Sequence, residues 1–142
     1  MSRVDFYILS GTGEPSRHNF ACRLAEKAYR LNHTVHIHTA NQQQAERLDE
    51  LLWTFRDGSF VPHQLLDLTY PHTNAPVTIG FEEKAIGGQD LLINLTEEIP
   101  KMANSFPRVA ELVTSDKQSR QQSRKRFVHY KELGVELETH DI

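Results

Sequence analysis

Short apolar runs that fit strands alternate along this chain with longer stretches whose apolar residues recur at helical spacing. That order constrains the fold more than any single motif does. Val4 to Leu9 reads as a strand, broken at Gly11-Thr-Gly-Glu-Pro15. Ser16 is a fair N-cap for a helix carrying Phe20, Leu24, Ala28 and Leu31. Thr34 to Thr39 is β-branched and alternating, and predicts a second strand. Asn41 caps the next helix with Gln44 placed to reach back, and Ala45, Leu48, Leu52 and Phe55 form its inward stripe until Asp57-Gly58. A long connection from Val61 to Pro76 follows. Val77 to Phe81 and Leu91 to Leu95 read as strands around a polar turn with Gly87-Gly88. Pro100 to Ser105 holds a short helical turn, and Arg108 to Val113 is another strand. A helix from Asp116 to Leu133, a C-terminal Gly134 and a strand from Val135 to Glu138 complete the order. Strands alternating with helices predict a three-layer α/β fold: a mostly parallel sheet with helices on both faces.

At 142 residues the chain suits a single domain, here residues 1–142, burying roughly 70% of its unfolded surface. An apolar share of 38% with only seven Gly and six Pro argues against a disordered chain. No apolar run approaches the roughly 20 residues that span a bilayer, and Met1 to Phe6 carries no secretory signal pattern. With Cys22 alone no internal disulfide forms, so the expected compartment is a reducing cytoplasm.

The net charge of −3 hides an asymmetry that carries the first functional clue. Lys117, Arg120, Arg124, Lys125, Arg126 and Lys131 fall in one stretch without an acidic residue. The rest of the chain has ten Lys or Arg against nineteen Asp or Glu. At about 100° per residue, and relative to Phe127, Arg120 lies near 20°, Lys131 near 40°, Arg124 near 60° and Lys117 near 80°. Tyr130, Leu133 and the stem of Arg126 point the other way, toward the expected sheet. The stripe suits an acidic ligand with an apolar group, such as an acidic peptide ending in a hydrophobic residue. Guanidinium groups bind a carboxylate bidentately and Phe127 walls an apolar pocket. Single-stranded nucleic acid would use the same residue types, and a merely solvated face is the plainer reading.

A second surface is apolar. Trp53 lies about 100° from the stripe of Ala45, Leu48 and Leu52, and so misses that core. Phe60 follows across a turn in Ser59-Phe-Val-Pro-His63. Two large aromatics at a helix end read as a protein interface anchor, or else as a satellite cluster under the long connection.

Three other features point to chemistry without completing it. Ser10-Gly11-Thr12-Gly13 sits where a dinucleotide fold places its phosphate loop, but Ser16 replaces the third glycine and Pro15 removes an amide donor. The second strand ends in Thr39-Ala40-Asn41, without a carboxylate for a ribose hydroxyl. A nucleotide-binding protein or enzyme using this turn is the alternative reading; a plain turn is the simpler one. His36 and His38 share one side of a strand and, with His63 or His72, make an incomplete set of metal ligands. Mid-helix Cys22 reads as packing. No nucleophile elbow or phosphate-cradling P-loop occurs, so nothing here points to catalysis.

Phe6-Tyr-Ile-Leu9, Ala45-Glu-Arg-Leu-Asp-Glu-Leu-Leu-Trp53, Ser59-Phe-Val-Pro-His63, Asp90-Leu-Leu-Ile-Asn-Leu95 and the Arg120 to Tyr130 helix occur in this order. Over essentially its whole length the chain resembles the chi subunit of the bacterial DNA polymerase III holoenzyme. The specific part is Leu-Asp-Glu-x-Leu-Trp followed by Ser-Phe-Val-Pro-His. The resemblance implies a Rossmann-like α/β domain with no nucleotide site, no cofactor, no metal and no catalysis of its own. It implies two protein partners: the psi subunit of the clamp-loader complex, and the acidic, Phe-ending C-terminal tail of single-stranded-DNA-binding protein. The replication machinery would thereby be tied to coated template, with nucleic acid contacted mainly indirectly and no membrane involved. Position by position, the tail site would be Val113, Arg120, Arg124 and Phe127, with Lys117 at its edge, and the psi surface would include Trp53 and Phe60. In some members a repair helicase is implied to compete for that aromatic surface. Against the family pattern, Phe127 stands where Tyr is familiar, Val128 replaces a Lys, and Arg120 replaces a Lys, which favours carboxylate geometry.

Overall fold

The structure, a computed structural model, describes residues 1–66, 74–82 and 88–142. Seven strands form one sheet: β1 (Arg3–Ile8), β2 (Val35–His38), β3 (His63–Leu65), β4 (Val77–Gly80), β5 (Leu91–Asn94), β6 (Arg108–Val113) and β7 (Glu136–Asp141). Their order is β3-β4-β2-β5-β6-β1-β7. Every pairing is parallel; β1, for example, aligns Ile8 with Val113 of β6 and with Asp141 of β7. The helices are α1 (Gly13–Arg30), α2 (Gln42–Thr54) and α3 (Lys117–Glu132), with a 3-10 turn over Lys101–Ser105.

The period of two along each strand divides the core into two layers. Val35, Ile37, Ile93, Ala110 and Leu112 meet Ala21, Cys22 and Ala25 of α1 and Ala45, Leu48 and Leu52 of α2. Val4, Phe6, Leu92, Val109 and Val113 meet Tyr130 of α3, Met102 of the 3-10 turn and Phe106 just after it. This is the expected three-layer fold, with helices on both faces. Among the described residues no helix is long and apolar enough to cross a membrane.

The Asn41 side chain accepts from the Gln44 amide at 2.9 Å, as expected of the cap, while the Gln44 side chain reaches back one residue further than a capping box requires and accepts from the Ala40 amide at 3.3 Å. Three local expectations are corrected. Helix α1 begins at Gly13 with Thr12 as its N-cap, not at Ser16. Pro15 fits because the first turn needs no intrahelical donor. The connection from Val61 contains β3, which pairs His63 with Val77 and Leu65 with Ile79. A three-residue strand of modest propensity owes its existence to that pairing. Leu133 is 52% exposed rather than turned to the sheet, because the helix ends before it and Gly134, at φ +77°, diverts the chain. The second glycine of the Gly87-Gly88 turn is described and Gly87 lies outside the described residues, as does His72.

Candidate functional site

Helix α3 follows β6 and lies across β6 and β7, so its direction is set by strands on which it also packs. Its inward residues are Ser119, Ser123, Arg126 and Tyr130. Arg120 and Arg124 are exposed, as are Lys117 and Lys131, and Phe127 sits half-buried at the edge of the same arc. The Phe127 ring is braced from behind by Phe6, with centroids 5.4 Å apart. Among the described residues none of the four cations forms an ion pair, so their charge faces outward unneutralised. Val113 is only 1% exposed. It belongs to the core layer on which Phe127 packs, and so supports this surface without lining it. Two clefts, of about 510 and 260 Å³, border α3 at Gln118, Gln122, Lys125 and His129, on the flank opposite Phe127.

The network that fixes α3 was not foreseen. Glu111 points from β6 into the α3 layer and is fully buried. Arg126 donates to it through Nε at 3.0 Å, the Tyr130 hydroxyl donates at 2.6 Å, and the Asn94 amide donates to both its oxygens at 3.1 and 3.0 Å. Arg126 also reaches the Glu97 carbonyl at 2.7 Å. Burial raises the Glu111 pKa, against the opposing pull of Arg126, Tyr130 and Asn94. Burial and the neighbouring carboxylate likewise push the Tyr130 phenol up. The signal in the sequence was a carboxylate, Glu111, in the inward register of Val109 and Val113 on β6. Arg126 thus buries its head as well as its stem. Of the six cations in the segment, it serves structure.

The second aromatic pair comes together as expected. Trp53 is 54% exposed and Phe60 63%, their centroids 5.6 Å apart. The His63 ring lies 4.6 Å from Trp53, with Nδ1 2.7 Å from the Val61 carbonyl and Nε2 3.0 Å from the Asp49 carbonyl, so that either tautomer donates to one of them. Buried Glu26 of α1 holds the loop that carries Phe60: Ser59 donates a hydrogen bond to it and Arg56 pairs with it at 2.9 Å. Arg30 adds a looser pairing at 3.7 Å. Glu26 was missed; its trace is an acid on the Ala21, Cys22, Ala25 and Ala28 side of α1.

The glycine turn is occupied by the protein itself. The Gly13 amide donates to the Asp116 side chain at 3.2 Å and the Ser115 amide to the Gly11 carbonyl at 2.9 Å. A carboxylate thus stands where a phosphate loop would hold its anion, and a Cβ on Gly11 would strike the Ser16 hydroxyl. His36 is buried, bonded to the Thr78 hydroxyl at 2.7 Å and stacked near Phe106, with its pKa lowered to about 3 by burial and by His38. Among the described residues no group of three His, Cys, Asp or Glu is placed to hold a metal. Burial pushes the Cys22 thiol up to about 12, which suits packing.

Comparison with known proteins bears on the fold and the family. Two solved structures share the fold: S. cerevisiae Dbp5 bound to RNA and ADP BeF3 (TM-score 0.65, 13% identity, 97% of this chain and 41% of that one), and the C-terminal domain of the DEAD-box protein Dbp5 (TM-score 0.61, 15% identity, 97% and 90%). At such identities the likeness concerns architecture alone. The DNA polymerase III subunit chi of Pseudomonas aeruginosa is 43% identical over 142 residues, covering 100% of this chain and 98% of that protein. Those of Haemophilus influenzae and Escherichia coli are 33% and 31% identical, each covering 98% of this chain and 96% and 97% of theirs. The family model described as "DNA polymerase III chi subunit, HolC" matches residues 1–138. The chain therefore belongs to the DNA polymerase III chi subunit family, accessory subunits of the replicative polymerase.

Proposed function

We propose that this accessory subunit works without catalysis, as one domain over residues 1–142, joining two partners through two separate surfaces. The cationic flank of α3 takes the acidic C-terminal tail of single-stranded-DNA-binding protein, and the Trp53–Phe60 surface takes psi of the clamp-loader complex. The observation that carries the tail reading is the pairing of unneutralised Arg120 and Arg124 with a braced aromatic, Phe127, along one arc. Arg120 and Arg124 bond the tail's carboxylates, Lys117 and Lys131 extend the positive field, and the terminal Phe packs on Phe127 with Val113 behind it. Such a site works on short, charged, apolar-ended chains and needs no enclosed cavity.

Calorimetry with a synthetic acidic peptide ending in Phe tests the tail half. Arg124→Ala is expected to weaken binding by about 1.5–3 kcal/mol, the range for hydrogen bonds to charged groups. An unchanged affinity counts decisively against the site. For the other half, Phe60→Ala should leave tail binding intact and abolish co-purification with psi; psi retained at wild-type yield refutes that assignment.

A further inference from the structure

Seen from Trp53, α2 is acidic. At about 100° per residue, and with Trp53 at the origin, Glu46 falls near 20°, Asp49 near −40° and Glu50 near 60°, while Arg47 is turned away to near 120°. Glu46 and Glu50 are exposed and Asp49 is 35% exposed at its side chain. Among the described residues none of the three pairs with a Lys or Arg. Arg56, the cation beside this surface, is committed to buried Glu26. Glu46 and Glu50 therefore rim the two exposed rings with charge that no cation of the described residues cancels, while the Asp49 carboxylate lies 3.4 Å from His63 Nε2.

We propose that the Trp53–Phe60 surface accepts a basic amphipathic segment: an apolar anchor seated on the two rings, flanked by Lys or Arg lying against Glu46 and Glu50. The inference rests on reading this surface as a partner site, and adds the chemistry of what fits there. Three physical arguments select that occupant. Opposite charges across a rim steer encounter and exclude wrong partners, so an acidic segment is repelled. A cation passing over an indole face gains further attraction, and Trp is the strongest such ring. The rings are also held in advance, Trp53 by the anchored His63 ring and Phe60 by the Glu26 contacts, which lowers the entropy lost when a partner docks. The acidic tail that suits α3 is thus turned away from α2 by charge alone, and the two surfaces do not exchange ligands.

Trp53 is the chain's single tryptophan, so intrinsic fluorescence of the whole protein reports this surface directly. The probes are two synthetic amphipathic helical peptides with the same leucine face, one flanked by lysines and the other by glutamates. The lysine peptide should change Trp53 emission and bind about tenfold or more tightly than the glutamate peptide, a difference of about 1.4 kcal/mol. Added salt should narrow the gap. Glu46→Lys combined with Glu50→Lys, both on the exposed face, should reverse the preference. Equal binding, preference for the glutamate peptide, no emission change with either, or an unaltered preference in the double variant overturns the proposal. Psi is measured in a separate arm. Psi binding without a lysine preference removes the partner chemistry and leaves the psi assignment; a lysine preference without psi binding does the converse.

Discussion

Helix α2 turns Ala45, Leu48 and Leu52 to the sheet, whereas α3 turns Ser119, Ser123, Arg126 and Tyr130. The outward faces differ as well: carboxylates around an indole on α2, guanidinium and ammonium groups around a phenyl ring on α3. One helix is held by apolar burial and the other by a buried ionic and hydrogen-bonded network. Both are fixed firmly enough to present an aromatic and a single sign of charge. The contrast teaches that a helix presenting an outward aromatic can be anchored by either means. The means decides which mutations loosen the site without touching it.

The sharpest way to break the contrast is Arg126→Ala. It strands Glu111 without its ion pair in the interior and should cost about 3–5 kcal/mol of folding stability, read from urea unfolding. Restoring stability by Glu111→Leu together with Arg126→Met would show that the network positions α3 rather than stabilises it. A cost below about 1 kcal/mol for Arg126→Ala would remove the ionic account altogether. Smaller by comparison, Asn41→Ala deletes the cap of α2 and should cost about 1 kcal/mol in the same assay, with the tail binding proposed for α3 unchanged.

The smallest effect is in pH and sets Asp5 against Glu111. Burial opposes ionisation of Asp5, but hydrogen bonds from Arg3, His140 and Arg108, with the charge of Arg3, outweigh it and hold its pKa below the usual value. Its contribution is whole above the unfolded carboxylate pKa, about 3.9, and is lost as pH falls through the lower folded value. Glu111 is raised, so its linked stability is whole below the unfolded value and declines as pH rises through the folded one. Asp5→Asn should flatten the acid limb of the stability curve and leave the loss above it. An acid limb unchanged by that substitution would mean that the Arg3, Arg108 and His140 contacts do not persist in solution.

The elements themselves were legible, because a period of two and a helical period each survive in short windows. So were the two surfaces, since helical rotation fixes which side chains point together whatever the helix packs on. Trp53 was correctly placed off its own core stripe, and Arg120, Arg124 and Phe127 on one arc. Strand β3 was not legible, because three residues without a clear pattern become a strand only beside β4. Nor was the use of Arg126 and Glu26 as buried ionic partners, since each meets groups on other elements.

By itself, then, the sequence determined the layer order, the cationic arc beside Phe127, the off-stripe place of Trp53 and, through its specific motifs, the family. These depend on residues close along the chain, where backbone geometry alone sets relative direction. Only the tertiary structure decided that Val113 is buried in the core layer against which Phe127 packs, that Asp116 fills the glycine turn, and that one of the six clustered cations is spent inside. Those outcomes depend on contacts between segments that adjoin only after the sheet has formed, and local periodicity carries no record of them.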